Sequence, residues 1–127
     1  MATSQDSHGW LEKRSRRGFR GYPIATVAFY GPDDKRATKV AVGIITRGDE
    51  VTYLERWSSE EIDVRFDPII GQQVVDFITR HGVKTVGLAD RIIGCPHEEG
   101  KDYPEGSTCP KCPFWSDRDR WTGQRIN

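Results

Sequence analysis

Cys95-Pro96-His97, eleven intervening residues and then Cys109-Pro110-Lys111-Cys112 place three thiols and one imidazole in two tight pairs. These are the donors that a tetrahedral Zn2+ takes, and Cys3His is one of its standard sets. A CxxC turn lets the sulfurs of Cys109 and Cys112 converge on one cation while nearby backbone N–H groups hydrogen-bond them. Pro110 stiffens that turn, and Pro96 and Pro113 stiffen its surroundings. Cys95-x-His97 is one residue tighter than the usual spacing. Gly94, Gly100, Pro104 and Gly106 supply the bends that fold the two pairs back as knuckles around one ion. The ion contributes folding free energy, because the loop has few other means of ordering itself. Four protein ligands close the tetrahedron, whereas catalysis needs an open position, so the spacing predicts a structural site with Zn2+ as its cofactor.

An odd number of cysteines, three, argues against a disulfide framework. An iron–sulfur cluster usually takes four thiolates. A rival reading takes His97-x-Glu99 with Cys109-x-x-Cys112 as similar to the signature of zinc deaminases, in which the Glu shuttles protons. Glu99 would then serve a zinc-dependent hydrolase or deaminase-like enzyme, and Cys95 would be a spectator. Three features oppose this. Cys95 is a better ligand than spectator, the nine residues between Glu99 and Cys109 leave no room for a strand, and Pro96 and Gly100 disfavour a helix there. Glu98 and Glu99 are instead expected to be solvated or to accept hydrogen bonds beside the metal.

The rest of the chain must position this hook. It has 127 residues, one domain's worth, and only 35% are hydrophobic. Most of the apolar residues lie between Tyr22 and Ile93. A core of about seventy residues is marginal, and a metal staple is one remedy. The formal net charge is zero, which excludes a global pull toward nucleic acid or membrane. No apolar run reaches membrane-spanning length, and Met1 to Gly9 lacks the apolar stretch of a secretory signal. The chain is therefore read as cytoplasmic.

Pro23 to Tyr30 reads as a buried strand, and Gly31-Pro32-Asp33-Asp34 as a turn. Thr38 to Thr46 alternates, with Val40, Val42 and Ile44 on one face. Arg47-Gly48-Asp49 turns, and Val51 to Trp57 returns as a third strand. Ser58 to Arg65 reads as a loop. Asp67-Pro68 announces a helix whose stripe is Ile70, Val74, Phe77 and Ile78 and whose stop is Gly82. His81 is expected near its C-terminal end, where an imidazole can meet free carbonyls. Val83 to Ala89 is a fourth strand, and Val86-Gly87-Leu88-Ala89 predicts burial on both faces. The expected fold is α+β: a three-stranded antiparallel meander, one helix and a fourth strand parallel in the sheet (β-β-β-α-β), with a C-terminal zinc hook. The divisions are a flexible basic arm over 1–21, a core over 22–93, the hook over 94–115 and a tail over 116–127.

That element order resembles the opening half of the ribonuclease H-like fold in topology. Enzymes of that type carry carboxylates on the first strand, the helix and the end of the fourth strand. Asp76 and Asp90 stand at two of these places, but Ala25 to Tyr30 offers no acid, so two-metal nuclease chemistry is not expected. Asp90 is expected to cap a turn toward Arg91. No phosphate-binding Gly loop and no Ser/His/Asp spacing is present.

Two features point to partners. Lys13, Arg14, Arg16, Arg17 and Arg20, interleaved with Trp10, Phe19 and Tyr22, could pair with phosphates and stack bases of RNA or DNA. Phe114, Trp115 and Trp121 could anchor a protein partner, or Phe114 and Trp115 could fold back on the hook or sheet. Asp117-Arg118-Asp119-Arg120 reads as a solvated charge run. His8 lies in the polar start and is assigned no role.

The segment GCPHEEGKDYPEGSTCPKCPFWSDRDRWTG, Gly94 to Gly123, resembles that of a family of small, uncharacterised bacterial proteins with a CPH…CPxCPFW pattern. Tyr22 to Ile45 resembles that family in the same way. The resemblance implies a zinc-binding protein in which Cys95, His97, Cys109 and Cys112 match the motif position by position, and it implies no particular activity. The combined expectation is a non-catalytic nucleic-acid-binding or adaptor module, with a protein–protein interaction subunit as the alternative.

Overall fold

Alternation of Val40, Val42 and Ile44 with smaller or polar residues is the pattern of a strand covered on one face, and it forms one here. The computed structural model describes residues 7–98, 100–107 and 109–117. Within it β1 (Ile24–Tyr30) and β2 (Lys39–Ile45) pair antiparallel, with Ala25 opposite Ile44, Val27 opposite Val42 and Phe29 opposite Val40. All six are buried on the same side. The β1–β2 turn needs Gly31, because a Cβ there would lie 1.9 Å from the Arg36 carbonyl oxygen. β3 (Tyr53–Ser58) returns antiparallel beside β2, with Trp57 opposite Val40, and completes the expected meander.

The Asp67-Pro68 helix forms as its signals predict. Asp67 accepts hydrogen bonds from the Ile69 and Ile70 N–H groups (2.9 and 3.1 Å), and Pro68 opens α2 (Pro68–Arg80). Ile70, Val74, Phe77 and Ile78 are buried against the sheet's apolar side. His81 is the cap, donating its N–H to the Phe77 carbonyl, and Gly82 leaves the helix at φ +63°. β4 (Thr85–Ile92) then runs parallel to β1, so the order across the sheet is β3-β2-β1-β4.

Two expectations about β4 are corrected. It lies at the edge of the sheet, and Gly87 is exposed, so the Val86–Ala89 run is not buried on both faces along its length. It also continues past Ala89 to a buried Ile92, so Asp90 lies within the strand and not at a turn.

The helix count is corrected as well. The segment expected to be a mobile basic arm carries α1 (Ser7–Arg16), which packs on β4 and α2. Leu11 is only 4% exposed and belongs to the main core, Trp10 packs against that core, and the Arg14 guanidinium lies 4.4 Å over the Trp10 ring. The chain after α1 stays on β4: the Arg20 N–H donates to Thr85 Oγ1 and that hydroxyl donates to the Gly21 carbonyl, both at 2.7 Å. We expect Leu11→Ala to lower unfolding free energy by about 2–5 kcal/mol, the cost of emptying a core site. Glu12→Ala, one residue on and exposed, should stay within about 0.5 kcal/mol in the same denaturant titration.

The loop before α2 is locked by one ion pair. Asp63 accepts from the Ala37 N–H (3.0 Å) and holds Arg65 through Nε (2.9 Å) and Nη2 (2.6 Å). Partial burial pushes the Asp63 carboxyl up, but the Arg65 hydrogen bond, the Ala37 and Arg65 N–H groups and the guanidinium charge together bring it below its ordinary value. A carboxyl with a lower pKa folded than unfolded stabilises the fold above the unfolded value, about pH 3.9, and loses that contribution as pH falls through the folded one. Denaturant midpoints should therefore fall as pH drops below about 4, and Asp63→Asn should flatten part of that fall.

Candidate metal centre

The hook leaves the sheet on ladder hydrogen bonds. The Ile93 N–H donates to the Phe29 carbonyl and the Gly31 N–H to the Gly94 carbonyl, both at 2.9 Å, and this delivers Cys95 to the end of β1. The tight Cys95-Pro96-His97 turn donates the His97 N–H to Cys95 Sγ (3.2 Å) and brings the near ring nitrogen inward. His97 Nδ1 lies 3.3 Å from Cys95 Sγ, 3.4 Å from Cys109 Sγ and 3.5 Å from Cys112 Sγ. The four donor atoms all lie within 4.8 Å of one another. Zinc bond lengths of about 2.3 Å to sulfur and 2.0–2.1 Å to nitrogen give a tetrahedron with N···S edges of about 3.5 Å. The cluster is geometrically suited to coordinate a metal ion, and its donors are compatible with structural zinc.

Electrostatics point the same way. Cys95, Cys109 and Cys112 are buried. Burial and the neighbouring cysteines push the Cys112 thiol far above its ordinary range, and burial is the largest cause of the smaller rise at Cys95. Three buried thiolates repel one another and lack water, and a divalent cation among them reverses both costs.

The bracing of the hook comes from residues distant in sequence. Glu98 is no ligand: it accepts from Lys39 Nζ (3.2 Å) and pairs with Arg56 Nε (3.0 Å), and Lys39 Nζ also donates to the Pro96 carbonyl (2.9 Å). The Lys39 hydrogen bond, helped by the charges of Lys39, Arg56 and Lys101, holds the Glu98 carboxyl below its usual range. Lys39 comes from β2 and Arg56 from β3, so the loop is tied to the sheet face opposite α2. Behind the ligands Tyr103 is buried among the thiols. Trp115, on a short 3-10 turn over Pro113–Asp117, donates its indole N–H to the Gly31 carbonyl (2.8 Å) and packs against both the hook and the main core. Phe114 stands edge-on against it at 4.9 Å. Trp115 therefore folds back and joins the hook to the sheet.

The remaining candidates are dispersed. Glu99, Trp121 and the run after Asp117 lie outside the described residues. Asp76 is exposed on α2 and accepts from Gln72 (2.8 Å), and β1 carries no acid beside it. The His81 ring is held between Tyr53 and Phe77, 4.6 and 4.7 Å away. Lys13, Arg16, Arg17 and Arg20 are exposed, and Arg14 is half-buried over Trp10. His8, given no role from sequence, sits on α1 with Nε2 3.6 Å from Glu12 and its ring against Phe29 and Phe66.

No protein-family model, curated protein or solved structure matches the chain. The motif resemblance thus finds no family behind it, and what stands is the Cys3His cluster itself. Among the described residues no helix is long and apolar enough to cross a membrane.

Metal analysis should find one divalent ion per chain, and Cys112→Ser should lower its affinity steeply. Chelation should remove hydrogen-exchange protection from residues 95–112 while β1 and β2 keep theirs. Unchanged protection throughout after metal removal would refute a metal-ordered hook.

Proposed function

We propose that the chain is a non-catalytic nucleic-acid-binding module whose hook is closed by a structural Zn2+. Four protein donors fill a zinc tetrahedron and leave no position for substrate. The observation that carries the binding reading is an exposed aromatic pair among cations. Phe19 is 67% exposed and stands edge-on to Tyr22 at 5.7 Å, and Arg16, Arg17 and Arg20 beside it are exposed. The Tyr22 hydroxyl donates to the Gly48 carbonyl (2.9 Å), which fixes the ring. Trp10 is taken by the core and Arg14, so Phe19 and Tyr22 are the stacking candidates. Guanidinium groups engage phosphates while aromatic faces stack bases, the pairing that single strands require.

Zero net charge does not oppose this, because Lys13, Arg14, Arg16, Arg17 and Arg20 concentrate positive charge within eight residues of the chain.

Anisotropy titrations of metal-loaded protein with single-stranded RNA at several salt concentrations test the reading. Replacing Lys13, Arg16, Arg17 and Arg20 by Gln should flatten the salt dependence by about 0.7 in log–log slope for each phosphate no longer neutralised. Phe19→Ala should cost about 1–3 kcal/mol of binding. Binding that is absent, or indifferent to salt, would remove the proposal.

A further inference from the structure

A crevice of about 220 Å3 lies between α1 and the middle and C-terminal part of β4, and Phe29 of β1 also lines it. It shares no residue with the metal cluster. Phe29 and Leu88 supply apolar surface, and the charged and titratable lining is Arg16, Arg65, Arg91, His8 and Glu12. Three arginines thus line one space with Glu12, and Arg65 among them is already paired with Asp63.

Three details show that this gap is shaped. First, the β1–β4 register breaks at the crevice: Val27 is opposite Leu88 but Phe29 is opposite Ile92. Three residues of β4, Ala89 to Arg91, thus stand against Ala28 alone on β1, and bulges re-aim side chains. Second, Arg65 is held rigidly by Asp63 and by the Lys35 carbonyl, to which Nη2 donates at 3.2 Å. Its guanidinium needs no ordering when a ligand arrives. Third, His8 lines the crevice from α1, with Nε2 3.6 Å from Glu12 on the same wall.

We propose that this crevice is an anion site that takes a phosphate monoester. Guanidinium forks match the oxygens of a terminal phosphate bidentately, and a monoester carries more charge to pair with them than a chain phosphodiester. The apolar surface of Phe29 and Leu88 suits the organic part of the ester. The same chemistry is offered by a free mononucleotide and by the phosphorylated end of a nucleic acid. The site goes beyond the chain-binding surface around Phe19 and Tyr22 and shares Arg16 with it.

Backbone amide spectra of the full, metal-loaded chain, titrated with AMP, inorganic phosphate and adenosine, provide the test. AMP and phosphate should give saturable shifts at His8, Arg16, Leu88 and Arg91, and adenosine should give none. Arg91→Gln should weaken AMP about tenfold, the scale of a missing charge-assisted hydrogen bond, and Glu12→Gln should strengthen it. Spectra otherwise like those of the parent chain show that both variants are folded. Displacement of AMP by a 5′-phosphorylated oligoribonucleotide, and not by its 5′-hydroxyl counterpart, assigns the site to a nucleic-acid end. No displacement by either assigns it to free mononucleotides. Shifts that fail to saturate, adenosine as effective as AMP, or undiminished binding by Arg91→Gln would overturn the proposal. If AMP binds and RNA of either kind does not, only the chain-binding proposal fails.

Discussion

The hook and the crevice both depend on the C-terminal end of β1. The strand lies between an antiparallel and a parallel neighbour, so its backbone groups are taken up on both sides. Beyond it, the Phe29 carbonyl accepts from Ile93, the Gly31 N–H donates to Gly94, and the Gly31 carbonyl accepts from the Trp115 indole. Those three bonds carry the hook. Phe29 also lines the crevice on the α1 side, and Tyr30, next along and facing the other way, lines the groove between sheet and hook. Alternation along one strand thus separates two sites that are adjacent in sequence.

The two faces of the sheet are stabilised by different physics. On the α2 side the side chains of β1 and β2 are buried in an apolar layer, and hydrophobic burial dominates. On the other side none of the described helices covers the sheet, and the hook is attached through Lys39, Arg56 and Glu98. Partly exposed ion pairs of this kind contribute little stability individually. The hook therefore depends on its small cluster of Tyr103 and three cysteines, on Trp115, and on the cation its donors are arranged to hold.

Much of the fold is legible in the sequence because its signals are local. Val40, Val42 and Ile44 declare a one-faced strand, Asp67-Pro68 and Gly82 bracket a helix, and the spacing of Cys95, His97, Cys109 and Cys112 marks the cluster. α1 is not legible, because Trp10 and Leu11 are the only large apolar residues of Ser7–Arg16 and a helix with so thin a stripe forms only against a surface. The apolar run at Val86 implies a central strand, yet β4 is an edge strand whose outer flank receives the chain around Arg20 and Gly21. Glu98 reads from sequence as a solvated acid or a hydrogen-bond acceptor beside the ligands, and nothing near it in the chain names Lys39 and Arg56 as its partners.

By itself the sequence determined the donor set, the element order from β1 to β4 and the positions where helix α2 begins and ends. Each of these depends on residues a few positions apart, within reach of backbone geometry and side-chain chemistry alone. The tertiary structure decided that His97 presents Nδ1 to all three sulfurs, that α1 docks on β4, and that Arg16, Arg65 and Arg91 share one crevice. Those residues come from separate elements, and only burial of the common core sets the distances between them.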